Sequence, residues 1–319
     1  LRLPGVVTTF AAYRNAVDAG GALLTAPAGA LTEAQARGLI GRTWELSLDL
    51  LDTRGLPQAR TLLRLLATFA DAPIPTMLLD WTVLADSPLF PGLDPDSLRR
   101  LLRALTGLGL VGLDPAAADT AVLRLHPLIR DTSRLHLHTA GHQGDYLALA
   151  VRLLDASAPA DPEDPGPWPT GPTPRPEAGH RPPAHATPTW RTLTPHAVHL
   201  LTAAIQTPDT DADLIDTAAD IAGRVSWYLG TAGLHTDARD QFAVLLRILE
   251  QIHSPDHPRL LSTRYSLAAW TGMAGEPVAA RDQLAALLPV IERTLGPDHP
   301  HTLATRHDLA RWTRKADRP

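Results

Sequence analysis

Apolar residues in the last third of the chain recur at i, i+3, i+4 and i+7, and they do so twice in the same phase. Leu284, Leu287, Leu288, Ile291 and Leu295 share one face of a predicted helix, and Phe242, Leu245, Leu246 and Leu249 trace that face one unit earlier. The polar positions repeat as well. Ala238-Arg239-Asp240-Gln241 is answered by Ala280-Arg281-Asp282-Gln283, Pro255-Asp256-His257-Pro258 by Pro297-Asp298-His299-Pro300, and Thr263-Arg264 with Trp270-Thr271 by Thr305-Arg306 with Trp312-Thr313. Each pair lies 42 residues apart, and a fixed period of this size marks a solenoid of supersecondary units.

Punctuation between the apolar runs defines the unit. Pro258 and Pro300 suit the first position of a helix, where a missing N–H is harmless, and each opens a shorter helix A that ends near Thr271 or Thr313. Ala232-Gly233 and Ala274-Gly275 then supply the turn into a longer helix B. A helical hairpin repeated in this way resembles the tetratricopeptide repeat in its 42-residue form, over roughly Leu214 to Arg314, with a third, decayed copy reading back through Tyr228.

Earlier in the chain the pattern is helical but irregular. Val6 to Ala19 is predicted as a helix ended by Gly20-Gly21, and a small-residue loop surrounds Pro27. A helix from Thr32-Glu33 runs through Ile40, Trp44, Leu48 and Leu51, and another spans Ala59 to Phe69. Thr76 to Leu84 is predicted as a third, and Asp94-Pro95-Asp96 caps a fourth carrying Leu98, Leu101, Leu102 and Leu105. Leu108 to Leu113 and Ala121 to Leu125 flank a small-residue tip as a β-hairpin, and His126-Pro127 starts a further helix. Short helices followed by a hairpin and a helix predict a winged helix. The expected fold class is thus mainly α, a winged-helix domain with a small β-hairpin followed by a TPR-like α-solenoid.

Trp44-Glu45-Leu46-Ser47-Leu48, Ala59-Arg60 with Leu62-Leu63, Ile74-Pro75 and Leu125-His126-Pro127-Leu128 look like the regulatory part of NB-ARC ATPases of the STAND class. In that family a nucleotide-binding domain precedes a helical domain, a winged helix and often tetratricopeptide repeats. The resemblance implies six segments: 1–31 as the tail of an upstream helical domain, 32–140 as the winged helix, 141–156 as a connecting helix, 157–189 as a proline-rich flexible linker, 190–314 as the repeats and 315–319 as a tail. It also assigns His126 the role of the family's Met-His-Asp histidine, which contacts the β-phosphate of bound ADP. Leu125 and Pro127 depart from that motif, and a helix-capping histidine behind the wing is the alternative reading of His126.

Composition then narrows the chemistry. Lys315 is the only lysine, so the chain holds no Gly-Lys-Ser or Gly-Lys-Thr loop to cradle a nucleotide; ADP or ATP is implied for an upstream domain and no cofactor for this chain. The chain opens at Leu1, and more protein is expected before it. Absence of cysteine excludes thiolate chemistry, and arginine- and alanine-rich usage has the bias of a GC-rich bacterial genome. Histidine pairs such as His136 and His138, His196 and His199, or His253 and His257 lack a third ligand, so no metal is expected. No nucleophile elbow or zinc-protease motif occurs, and the acidic clusters suit helix starts, so no catalytic residues and no independent enzyme are expected.

Two binding functions remain. From 94 to 138 the basic residues Arg99, Arg100, Arg103, Arg124, Arg130 and Arg134 are nearly balanced by Asp94, Asp96, Asp114, Asp119 and Asp131. So small an excess, in a chain of net charge −5, gives a weak footprint for phosphates, and nucleic acid is not the expected partner. Helix A of the repeats offers Arg264, Tyr265 and Ser266 and, one period on, Arg306, His307 and Asp308 as candidates for gripping a protein, peptide or small-molecule signal on the concave face. Each arginine suits a neighbouring helix end equally well. The reading is a cytoplasmic regulatory and sensor segment of a STAND-type ATPase from bacterial signal transduction, its winged helix acting on the upstream nucleotide domain and its repeats receiving the signal. The alternative is a DNA-binding transcription regulator with a TPR sensing arm.

Overall fold

Helices carry most of the chain, and they fall into two compact units, residues 1–157 and 158–319. The computed structural model describes residues 44–114, 121–158 and 186–317. The helix expected at Val6 to Ala19, the loop around Pro27, the hairpin tip and most of the proline-rich segment lie outside the described residues.

In the first unit, α1 (44–53) and α2 (Gln58–Thr68) form around Leu48, Leu50, Leu62, Leu63, Leu65 and Leu66, all buried. Their spacing puts the leucines on the face that α4 (Pro95–Gly107), α5 (Pro127–Ala140) and α6 (Gln143–Ser157) cover. Asp94 starts α4 by accepting the Ser97 N–H at 2.7 Å, with Pro95 at the first helical position. Residues 141–156, expected as a connecting helix, are packed into this unit: α6 buries Tyr146, Leu147, Leu149, Ala150, Val151, Leu153 and Leu154 and touches α2, α5 and the segment Thr76–Leu78.

One expected helix is divided. Thr76–Leu78 is a 3₁₀ turn and α3 spans Trp81–Ala85. Between them Asp80 is extended (φ −61°, ψ 115°), and its carboxylate accepts from the Thr82 N–H at 2.8 Å and the Thr82 hydroxyl at 2.5 Å. A local side-chain acceptor there competes with the helical hydrogen bond and restarts the helix one turn later.

The expected hairpin forms from β2 (Val111–Asp114) and β3 (Val122–Leu125), paired antiparallel from Val111 opposite Leu125 to Asp114 opposite Val122. A third strand, β1 (Ile74–Pro75), pairs antiparallel with β3, giving the order β1-β3-β2. Pro75 is tolerated because β1 lies at the sheet edge, where a missing N–H leaves no ladder bond unmade.

The second unit is a run of helices in which each packs on its neighbours in sequence: α7 (Ala186–Gln206), α8 (Ala212–Thr231), α9 (His235–Leu249), α10 (Pro258–Met273), α11 (Pro277–Leu295) and α12 (Pro300–Ala316). The start of α7 reaches into the stretch expected as linker. Next-but-one contacts also join α8 to α10 and α10 to α12, so the A helices stack on one another as a TPR-like solenoid requires. Gly233 (φ 87°) and Gly275 (φ 99°) close the A-to-B turns in a conformation that a Cβ would strain. Among the described residues no helix is long and apolar enough to cross a membrane.

Candidate functional site

The repeat arginines are occupied within the solenoid. Arg264 bonds Glu250 at 3.1 Å and the Pro255 carbonyl at 3.4 Å; Arg306 bonds Glu292 at 2.6 Å and the Pro297 carbonyl at 3.2 Å. Each guanidinium ties the end of the preceding helix B to the loop that leads into its own helix A. Of the two alternatives open in the sequence, the geometry takes the neighbouring helix end.

Three of the other four candidates are turned into the stack. Tyr265 is buried, and its hydroxyl donates to Asp308 Oδ2 at 2.6 Å across the α10–α12 contact. Ser266 and Asp308 are buried with it, whereas His307 is exposed. The Tyr265 hydroxyl gives the Asp308 carboxylate a donor it could not find in an apolar seam. Arg259 performs a similar task one interface earlier, bonding Asp220 and lying 3.3 Å from Asp216 on α8. Burial pushes the Asp220 carboxyl above its ordinary range, with Arg259 opposing that rise.

Two tryptophans close the seams between A helices. Trp270 and Trp312 are almost fully buried, and each indole lies where a Cβ on Gly230 or Gly272 would stand, far inside contact distance. Trp270 also meets the Trp227 ring edge-on at 5.0 Å. The glycine half of this device escaped the sequence reading. Its signal was present as two glycines one period apart, Gly230 and Gly272, each in the last turn of its helix and distinct from the turn glycine that follows.

His126 stands immediately after β3 as the N-cap of α5, exposed, with Nδ1 accepting the Leu128 N–H at 3.2 Å. His257 and His299 make the same cap on α10 and α12, accepting from Arg259 N–H at 3.3 Å and His301 N–H at 3.2 Å. The Trp44 ring lies 6.3 Å from that of His126. Elsewhere the rings of His253 and His257 stack at 3.8 Å, and no group of three metal-ligating side chains occurs among the described residues. Burial, the His257 ring and Arg259 together push His253 below its ordinary pKa.

The basic residues of the first unit are largely spent on its own fold. Arg130 is buried against Asp71, Arg134 donates to the Ala67 and Phe69 carbonyls at the end of α2 at 2.7 Å each, and Arg99 pairs with Asp96. Arg103 and Arg124 are exposed.

Comparison with known proteins adds one match: residues 260–301, from the first turn of α10 through α11 into α12, fit the tetratricopeptide repeat family. No curated protein and no solved structure matched the chain. The C-terminal region thus contains a tetratricopeptide repeat, whose span equals the period read from the sequence.

Proposed function

We propose, taking the tetratricopeptide repeat at 260–301 as the premise, that this chain is the non-catalytic regulatory and sensing part of a cytoplasmic STAND-class ATPase of the NB-ARC type. In this reading the three-stranded sheet with α4 and α5 is a winged helix that acts on an upstream nucleotide-binding domain. The solenoid receives a protein or small-molecule signal, and the signal shifts the balance between closed and open states by binding them unequally.

The observation that supports it is the placement of His126. With Nδ1 accepting the backbone N–H of Leu128, the neutral ring carries its proton on Nε2, an assignment that follows from the hydrogen bond. Capping and sensing are therefore compatible: one nitrogen holds α5 while the other, on an exposed ring, is a donor for a phosphate oxygen. ADP or ATP would bring that phosphate in the upstream domain, and this chain offers no lysine-bearing phosphate loop of its own.

The test uses the full-length protein. His126→Ser keeps a capping hydroxyl but withdraws the Nε2 donor, so ADP retention on dialysis is expected to fall about tenfold, the worth of one hydrogen bond to a charged group. Retention equal to wild type would remove the sensor role. No observation favours the DNA-binding alternative, because Arg130 and Arg134 serve the fold.

A further inference from the structure

The loop that joins α9 to α10 holds two histidines against each other. His253 and His257 stack face to face, their ring centroids 3.8 Å apart and their planes within 10°. His253 Nε2 is buried and has no hydrogen-bond partner among the described residues, while His257 Nδ1 accepts the Arg259 N–H at 3.3 Å and so caps α10. The stack belongs to this joint. One period later His299 keeps the cap, but Leu295 stands in the place of His253.

Charge is unwelcome on either ring. A protonated imidazole carries hydrogen on both nitrogens, so His257 can cap α10 only while it is neutral. Around His253 lie the His257 ring, the Arg259 guanidinium and, from α8, the Asp216 carboxylate; burial, His257 and Arg259 outweigh Asp216 and hold the His253 pKa below its ordinary value. Further out, Arg259 bonds Asp220 on α8, which also feels Arg224. Glu250 at the end of α9 pairs with Arg264 at 3.1 Å, and Asp256 in the loop pairs with Arg293 of α11 at 3.1 Å. Asp220 works with the opposite sign: its carboxyl is held above its ordinary range, so a proton there relieves its burial. A proton on His253 or His257 brings no such relief, since it sets a cation against the other ring and beside Arg259. Beyond its first turn α10 is held by other means, Trp270 against Gly230 and the Tyr265 hydroxyl on Asp308. Charge added in the loop therefore acts on the loop and the first turn before it acts on the stack.

We propose that the stacked pair is an acid-sensitive latch on the α9–α10 joint, closing the loop onto α10 while both rings are neutral and releasing it when they take up protons. The latch gives the solenoid a hinge that answers to pH, and it stands independently of any upstream nucleotide domain. Release begins below pH 6.5, the ordinary value from which His253 is displaced, and deepens as pH falls toward its folded-state value.

Amide hydrogen exchange on the whole chain, corrected for its intrinsic dependence on pH, reads the joint at about pH 7.5 and about pH 5. Segment 250–261 contains the Leu260 and Leu261 N–H groups bonded to the His257 carbonyl. It is expected to exchange about fivefold faster or more at the lower pH, the worth of a lost helix cap, while 265–290 changes less. His253→Leu installs the residue of the following repeat, and His257→Asn keeps an uncharged cap; each should remove most of the acceleration, and both together all of it. Exchange equal to wild type at the higher pH checks that the variants fold. Equal protection of 250–261 at both pH values overturns the proposal, and so does an acceleration that survives the double substitution. Acceleration spread evenly over 250–316 is global unfolding, which overturns the latch while leaving the solenoid reading in place.

Discussion

Tyr265 matters through a single oxygen. Its hydroxyl is the donor that Asp308 accepts inside the α10–α12 seam, so Tyr265→Phe leaves a buried carboxylate oxygen without it. A loss of about 1–3 kcal/mol is expected from urea unfolding, far more than removing one exposed hydroxyl would cost. The capping histidines work on a similar scale. His299→Ala exposes the first turn of α12 and is expected to cost about 1 kcal/mol, whereas His299→Asp should cost little, since aspartate caps as well. His253 brings a pH dependence. Its folded-state pKa lies below the ordinary 6.5, so the unfolded chain takes up the proton first; this contribution is intact above that value and is lost as pH falls toward the folded-state pKa. Urea midpoints measured across that window should fall with acid, and His253→Gln should flatten the fall.

At the scale of elements, the distance between A helices is set by a tryptophan entering a glycine socket. Gly272→Ala puts a methyl group into the Trp312 ring in the middle of a packed seam, and a destabilisation of about 1–3 kcal/mol or more is expected, read as a lowered melting temperature. The repeated ion pair makes a useful contrast. Arg306 and Glu292 are both more than a third exposed, so Arg306→Ala is expected to cost less than about 1 kcal/mol in the same experiment despite its short, multiple bonds. If the arginine variant proved the more damaging of the two, the socket would not be what holds the A helices together.

Across the whole molecule, charge decides between the two binding functions. The chain carries a net −5, and two of the six arginines between 94 and 138, Arg130 and Arg134, are folded against Asp71 and the end of α2. The full chain is expected to leave duplex DNA unshifted at about 0.15 M salt, where phosphate contacts are already weakened. Retardation at that salt would revive the regulator reading. ATP hydrolysis is likewise expected to be absent from the isolated chain, since its lone lysine near the C-terminal end of α12 lies outside any phosphate-binding loop.

Much of the solenoid could be read from the sequence because its determinants are local. A period of 42, prolines at helix starts, glycines at turns and apolar residues at helical spacing each act within a few residues of themselves, and the helices appeared where they pointed. The hairpin after α4 was legible for the same reason, while β1 was not, because two residues acquire strand character only from a partner some fifty positions away. Asp80 escaped because a capping carboxylate and an ordinary helix residue look alike until the backbone has chosen. The candidate site shows the boundary most sharply: Arg264, Tyr265, Ser266, Arg306, His307 and Asp308 were found by register, but register assigns a face of one helix and says nothing of what lies opposite. Only the stacking of a third helix decided that Tyr265, Ser266 and Asp308 are interior while Leu303, His307, Ala310 and Arg314 face outward.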